Sequence, residues 1–390
     1  MQSLLALFVS SIFFSLVNAQ ATPIVSPAIS NTTLATIIGS APPSTARPSL
    51  IASNIPLSNL SSSVATPSGV AAPNGRPIIT YMALGDSFSA GNGAGKLVSP
   101  DQPACDRTDG SYVYHLLNDP EVFCRNDPFY PPSFYGEFEF NACSGAVTTG
   151  IQSLQMQTAV APYNHFIAGA DLYTMTAGGN DMGFDKIVKA CVYSIVIPFA
   201  GTCTKLLNAI DDYLAPGSTF QNNLASLYDN LQTQAGPGAT VVILPYITFY
   251  NDQVSRGPGC WVSQSTRQRM NQQVTNVNAA LRAAADARAF QFLDETDLQN
   301  AFNGHRFCGS GTKWIQDNIF ESLNPTAQAQ LNANGTLSPA DQNAIANGTS
   351  NFWNTGIFHP TAEGHTAYYQ LTKALLNPAA NVVSDTKATS

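Results

Sequence analysis

Only 11% of the 390 residues are charged, about half the usual share for a soluble domain. Basic residues are few: 17 Lys and Arg stand against 25 Asp and Glu, a formal net charge of −8 with no basic stripe. That excludes nucleic acid as a partner and gives no basis for attraction to anionic membranes. Long apolar runs are also missing beyond the first twenty residues, and Asn381 to Ser390 is polar, so neither an integral membrane span nor a lipid anchor with a hydrophobic tail is expected. There is no His-Glu-x-x-His and no Cys-x-x-Cys, so no metal or other cofactor is expected. Gly-x-Ser-x-Gly, the nucleophile elbow of one large hydrolase class, is absent too.

What is present begins with a leader. Ser3 to Val17 is uncharged and largely apolar, and Val17-Asn18-Ala19 has the small residues of a cleavage site. Residues 1–19 therefore read as a secretory signal peptide, and the protein is expected to be extracellular. Residues 20–77 are built of Ser, Thr, Pro, Ala and isolated aliphatics, with Arg47 and Arg76 as the only charges and no aromatic residue. Such a segment cannot bury enough area to offset its ordering entropy and reads as a disordered, O-glycosylated spacer. N-glycosylation acceptors stand at Asn31, Asn59, Asn334 and Asn347. The last two fall in Thr312 to Asn351, a polar stretch that reads as a surface insertion. Residues 78–378 are expected to form the folded domain and 379–390 a flexible tail.

From Ile78 the texture changes. Ile78–Leu84, Phe134–Ala142, Asp171–Ala177, Ala239–Ile247 and Ala289–Leu293 are short apolar runs that predict strands. Val274, Val277, Leu281 and Ala284 recur at helical spacing within Ser265–Arg288, and Pro360–Leu376 predicts a closing helix with Pro360 at its first position. Strands alternating with helices imply an α/β fold, a parallel sheet covered on both faces. Ligands then bind beyond the carboxyl ends of the strands.

Those strand ends carry unusual residues. Gly85-Asp86-Ser87-Phe88-Ser89 follows the first strand. A serine there has an exposed hydroxyl and an N–H without a helical partner, although a plain helix cap is the commoner use of such a segment. Cys143-Ser144-Gly145-Ala146 offers a glycine open to close approach, and Gly178-Gly179-Asn180-Asp181 offers a side-chain amide donor. His359 precedes Pro360 and is one of five histidines; His365 reads as a packing residue and His305, beside Cys308, as structural.

In this order the four blocks resemble the SGNH hydrolase (GDSL esterase/lipase) superfamily over roughly residues 78–378. The resemblance implies a three-layer α/β/α sandwich with a flavodoxin-like sheet. It implies a serine ester hydrolase without cofactor, acting on lipid or acylated-polysaccharide esters as a monomer through an acyl-enzyme. By position, Ser87 resembles the nucleophile and His359 the general base. The N–H groups of Ser87 and Gly145 and the Asn180 side chain resemble the oxyanion hole. The family usually places an aspartate three residues before the histidine; here that residue is Gly356. A Ser–His dyad is the expectation, with a backbone carbonyl near Gly356 orienting the imidazole. The secreted branch further implies bridges Cys105–Cys143, Cys191–Cys203 and Cys260–Cys308 with Cys124 single; the alternative pairs Cys105 with Cys124. The segment 184–217 is expected either to wall an acyl pocket or to be ordinary core. Two other readings stay open: a carbohydrate O-acetylesterase, and a non-catalytic cell-wall binding protein on the same fold.

Overall fold

The computed structural model describes residues 78–99, 102–123, 137–156, 169–192, 202–253, 260, 262–316, 338–340 and 356–377. The leader, the spacer, the four glycosylation acceptors, Cys124 and the tail lie outside these residues.

Five short strands form one all-parallel sheet: β1 Thr80–Gly85, β2 Glu137–Phe140, β3 Leu172–Thr176, β4 Thr240–Ile243 and β5 Gln291–Phe292. Their order is β2-β1-β3-β4-β5, the doubly wound flavodoxin-like arrangement. Every residue of β3 and β4 is buried, as a sheet covered on both faces requires. The strands run in register, Tyr81 beside Leu172 and Gly85 beside Thr176, so β1 and β3 end at the same level.

The helices are α1 Ser87–Ala90, α2 Tyr112–Asn118, α3 Thr148–Gly150 (running into a wider turn, Ile151–Gln155), α4 Phe184–Cys191, α5 Thr202–Leu214, α6 Thr219–Ala235, α7 Gln264–Asp286, α8 Glu295–Ala301 and α9 Ala362–Leu376. Helices α2, α8 and α9 pack together as one layer, and α3 to α7 as the other. The apolar stripe of α7 behaves as its spacing predicts: Val274, Val277 and Leu281 are buried and Ala284 packs at the edge of the core. No described helix is long and apolar enough to cross a membrane.

Two departures from the sequence reading have plain causes. Strand β4, predicted over Ala239–Ile247, ends at Ile243, because Pro245 has no N–H to give the ladder. Beyond it the Asn278 side chain takes over, accepting from Tyr246 N and donating to Tyr246 O, both at 2.8 Å. Pro360 is not the first helical residue. Thr361 caps α9 by accepting from Gly364 N, and Pro360 instead forms an isolated bridge with Ile315. Within Thr312 to Asn351, read as a surface insertion, Ile315 is fully buried and Gln316 is 8% exposed, so these two positions depart from that reading; residues 317–337 and 341–351 lie outside the described residues.

Candidate active site

The β1/β3 boundary is where strand order reverses, so the loops after these strands open a crevice. Ser87 stands there because the turn before it is tightly built. Gly85 has φ +122, and a Cβ on it would lie 2.4 Å from Thr176 O, so no other residue fits. Gln155 holds the same glycine through both its N–H and its carbonyl, at 2.8 Å each. Asp86 caps α1 by accepting from Phe88 N at 3.0 Å. It also accepts from the hydroxyls of Thr176, at 2.7 Å, and Tyr246. The Tyr246 hydroxyl in turn accepts from Gly179 N at 3.0 Å. One carboxylate thus fastens the turn after β1 to the turn after β3. Burial pushes the Asp86 pKa up to about 6, against the pull of its three donors.

His359 reaches this turn from the other end of the chain. Its Nε2 lies 2.7 Å from Ser87 Oγ. Its Nδ1 lies 2.8 Å from Gly356 O and 3.0 Å from Ile357 O. Carbonyls only accept, so Nδ1 carries the proton and Nε2 is left to accept from the serine hydroxyl. Phe88 and Phe184 flank the imidazole at 5.1 and 6.2 Å between ring centres. Burial lowers the pKa of His359 and favours the neutral ring. No described carboxylate hydrogen-bonds to it. Asp294 caps α8, Glu295 accepts from Asn278, and Glu363 accepts from Thr361.

Asn180 follows β3, and its Nδ2 donates to Ala146 O at 3.0 Å, leaving its second N–H for another acceptor. Asp181 grips Thr148 through N and Oγ1, which ties the loops after β2 and β3 together. Ser87 and Asn180 line one cleft. Gly145 is not among the lining residues; it sits next to Ala146, with open space where a side chain would project. The Cys105–Cys143 bridge and a 3.0 Å bond from Cys143 N to Gly85 O hold this loop beside Ser87.

The cleft encloses about 630 Å³, part of it open to solvent. Ser87, Asn180 and Tyr246 line it together with the apolar side chains of Phe184, Ile187, Leu207, Ile210, Met270 and Val274. Phe184, Ile187, Leu207 and Ile210 belong to the segment 184–217, and Cys191–Cys203 joins the two helices that present them. In the same segment Val192 is core, and Ile195, Val196, Ile197 and Phe199 lie outside the described residues. The third bridge is Cys260–Cys308.

Two other described histidines are engaged elsewhere, and His165 lies outside the described residues. His305 stacks on Trp314 at 3.8 Å with Nδ1 at 2.6 Å from Thr312 O. His365 is fully buried under α2, its pKa driven down to about 3 by desolvation. Among the described residues no cluster of three His, Cys, Asp or Glu side chains is arranged to hold a metal ion. Sequence reading missed Gln155, Thr176, Tyr246 and Gln316. None carried a usable signal: Thr176 and Tyr246 fall inside the predicted strands Asp171–Ala177 and Ala239–Ile247, and Tyr246 follows a strand only because β4 ends at Ile243.

Comparison with known proteins agrees with this architecture. The model of the GDSL-like Lipase/Acylhydrolase family matches residues 83–367. Lipase 1 of Streptomyces coelicolor is 30% identical over 257 residues, 64% of this chain and 82% of that protein. A lipase of Streptomyces rimosus is 31% identical over 256 residues, with the same shares. Among solved structures, the extracellular lipase of S. rimosus and phospholipase A1 of Streptomyces albidoflavus each superpose with a TM-score of 0.54 at 26% identity, covering 76% of this chain and 98% of theirs. Fold, cleft and relatives together define a carboxylic ester hydrolase on an α/β/α scaffold. The chain belongs to the GDSL-like lipase/acylhydrolase family.

Proposed function

We propose that the protein is a secreted serine esterase of acyl-lipid substrates, with Ser87 as nucleophile and His359 as general base. The observation that carries this reading is the 2.7 Å contact between His359 Nε2 and the Oγ of Ser87, a residue that lines a largely apolar cleft. His359 takes the serine proton as Oγ attacks the acyl carbon. The tetrahedral oxyanion receives the N–H groups of Ser87 and Gly145 and the free N–H of Asn180. Each such donor lowers the barrier by about 3–4 kcal/mol. Collapse returns the proton to the leaving alkoxide and leaves an ester on Ser87. Water, deprotonated by the same imidazole, then attacks that ester and releases the acid. The Gly356 carbonyl fixes the ring in the required tautomer, the part an aspartate plays in a triad.

The apolar lining beside Ser87 suits a hydrocarbon chain, which gains about 0.8 kcal/mol for each methylene buried. An acetyl group offers only one methyl to such a lining, so the carbohydrate O-acetylesterase reading is the weaker one. The non-catalytic alternative is set aside by membership of the hydrolase family. Secretion is supported by the leader at residues 1–19 and by three disulfides, which persist in oxidising compartments. In this reading residues 20–77 are a glycosylated spacer ahead of a catalytic domain spanning 78–378. The test is a profile of acetyl, butyryl, octanoyl and palmitoyl nitrophenyl esters beside acetylated xylan, with Ser87→Ala as control. Rising kcat/KM with chain length supports the reading. A maximum on acetylated xylan replaces it with the sugar-esterase reading.

A further inference from the structure

With glycine where a carboxylate usually stands, the imidazole is only as well placed as the carbonyls of Gly356 and Ile357. Those carbonyls sit in an unusual turn. Gly356 has φ +65 and Phe358 φ +67, a left-handed conformation that a phenylalanine adopts only under constraint. The constraint has two sides. Phe358 is fully buried against Phe249 and Phe307, at 5.2 and 4.6 Å between ring centres. The other side is Gln316.

Gln316 is bonded to the histidine loop through its backbone and its side chain. Phe358 N donates to Gln316 O at 3.2 Å, and Gln316 N donates to His359 O at 2.8 Å. Its Nε2 then gives both hydrogens to carbonyls, Pro360 O at 3.2 Å and Asn92 O at 2.7 Å. Asn92 belongs to the serine side: its N donates to Ser87 O at 3.1 Å. A single primary amide therefore spans the two loops whose side chains must meet. Two glycines make room for it. A Cβ on Gly93 would lie 2.2 Å from Gln316 Oε1, and one on Gly356 would lie 2.6 Å from the same atom.

We propose that Gln316 is the positioning residue of the Ser87–His359 pair, its carboxamide lodged between Gly93 and Gly356 so that the loop after α1 and the loop before α9 keep a fixed separation. It does by neutral hydrogen bonds to the backbone what a carboxylate on the histidine does by charge. The inference rests on the dyad proposed above. Gln316 does not line the cleft, so its effect belongs to turnover rather than to substrate binding.

The experiment compares Gln316→Met and Gln316→Glu with wild type and with Ser87→Ala, measuring kcat per active site by burst titration, KM, and the thermal melt. Both variants keep the side-chain volume and lose both donors. A displacement of about 1 Å at a reacting pair costs up to about 100-fold, so kcat is expected to fall about 10- to 100-fold with KM changed by less than about twofold. The chain stays folded, because the lost bonds lie outside the sheet. Wild-type kcat in either variant, a loss confined to KM, or a chain that no longer folds overturns the positioning role. An active Ser87→Ala overturns the dyad itself, which keeps the two failures apart.

Discussion

The turn that carries Ser87 is fastened by a buried carboxylate, and the loop that carries His359 by carbonyls and a primary amide. Asp86 gathers Phe88 N, Thr176 Oγ1 and the Tyr246 hydroxyl around one charge and binds two strand ends together. On the other loop, Gly356 and Ile357 offer neutral acceptors to His359, and Gln316 supplies neutral donors. Comparable placement is reached with and without charge. The charged device costs desolvation and responds to pH; the neutral one does neither, but it demands close backbone contact and glycines. With no described counter-charge on the imidazole, burial outweighs the upward pull of the Gly356 and Ile357 carbonyls and favours the neutral ring.

The comparison can be broken first at the contact itself. Ser87→Ala and His359→Ala are each expected to lower kcat by about 10⁴-fold or more, and the double variant by little more than either alone. Additive losses in steady-state turnover would separate the two residues into independent roles.

Next comes the charged side. Asp86 has a folded-state pKa raised from 3.8 to about 6, so the stability it contributes is complete below about pH 4 and is lost as pH rises through 6. Asp86→Asn removes that dependence. Its stability deficit against wild type is expected to shrink by about 2 kcal/mol between pH 4 and pH 7, most of what a roughly hundredfold tighter hold on the proton in the folded chain supplies. Denaturant titrations at the two pH values check this, and a constant deficit would show that the carboxylate is not strained by its burial.

On the neutral side, restoring the carboxylate is expected to harm. Gly356→Asp forces a Cβ to within 2.6 Å of Gln316 Oε1 and 2.9 Å of Asn92 Oδ1 at φ +65. Loss of about tenfold in kcat is the expected result, in line with small misplacements at a reacting pair; a gain would mean the loop can open to admit a triad. The smallest effect belongs to Asp294→Asn, Glu295→Gln and Glu363→Gln, each expected to leave kcat within about twofold of wild type, against about 10⁴-fold for a true triad aspartate.

The charged turn was far more legible in the sequence than the neutral loop. Gly85, Asp86 and Ser87 are contiguous, follow a strand, and declare a cap and a sharp turn by residue type alone. Gly178 to Asp181 does the same after β3. These are local signals, and parallel sheets place them at a common edge. Gln316 is 224 residues from Asn92, and Tyr246 is 160 from Asp86. Such pairings depend on the closed fold, and a polar, asparagine-rich surrounding made 312–351 read as surface. Strand cores were legible and strand ends less so: β5 is only Gln291–Phe292 within a predicted Ala289–Leu293, because Ala289, at φ +54, is still in the turn after α7.

The most direct test of the whole account is labelling with a fluorophosphonate followed by mass mapping of the modified peptide. One adduct per chain on Ser87, absent in Ser87→Ala and formed far more slowly in His359→Ala, is the predicted result. An adduct on another residue, or undiminished ester hydrolysis by a chain that takes up no label, would contradict it.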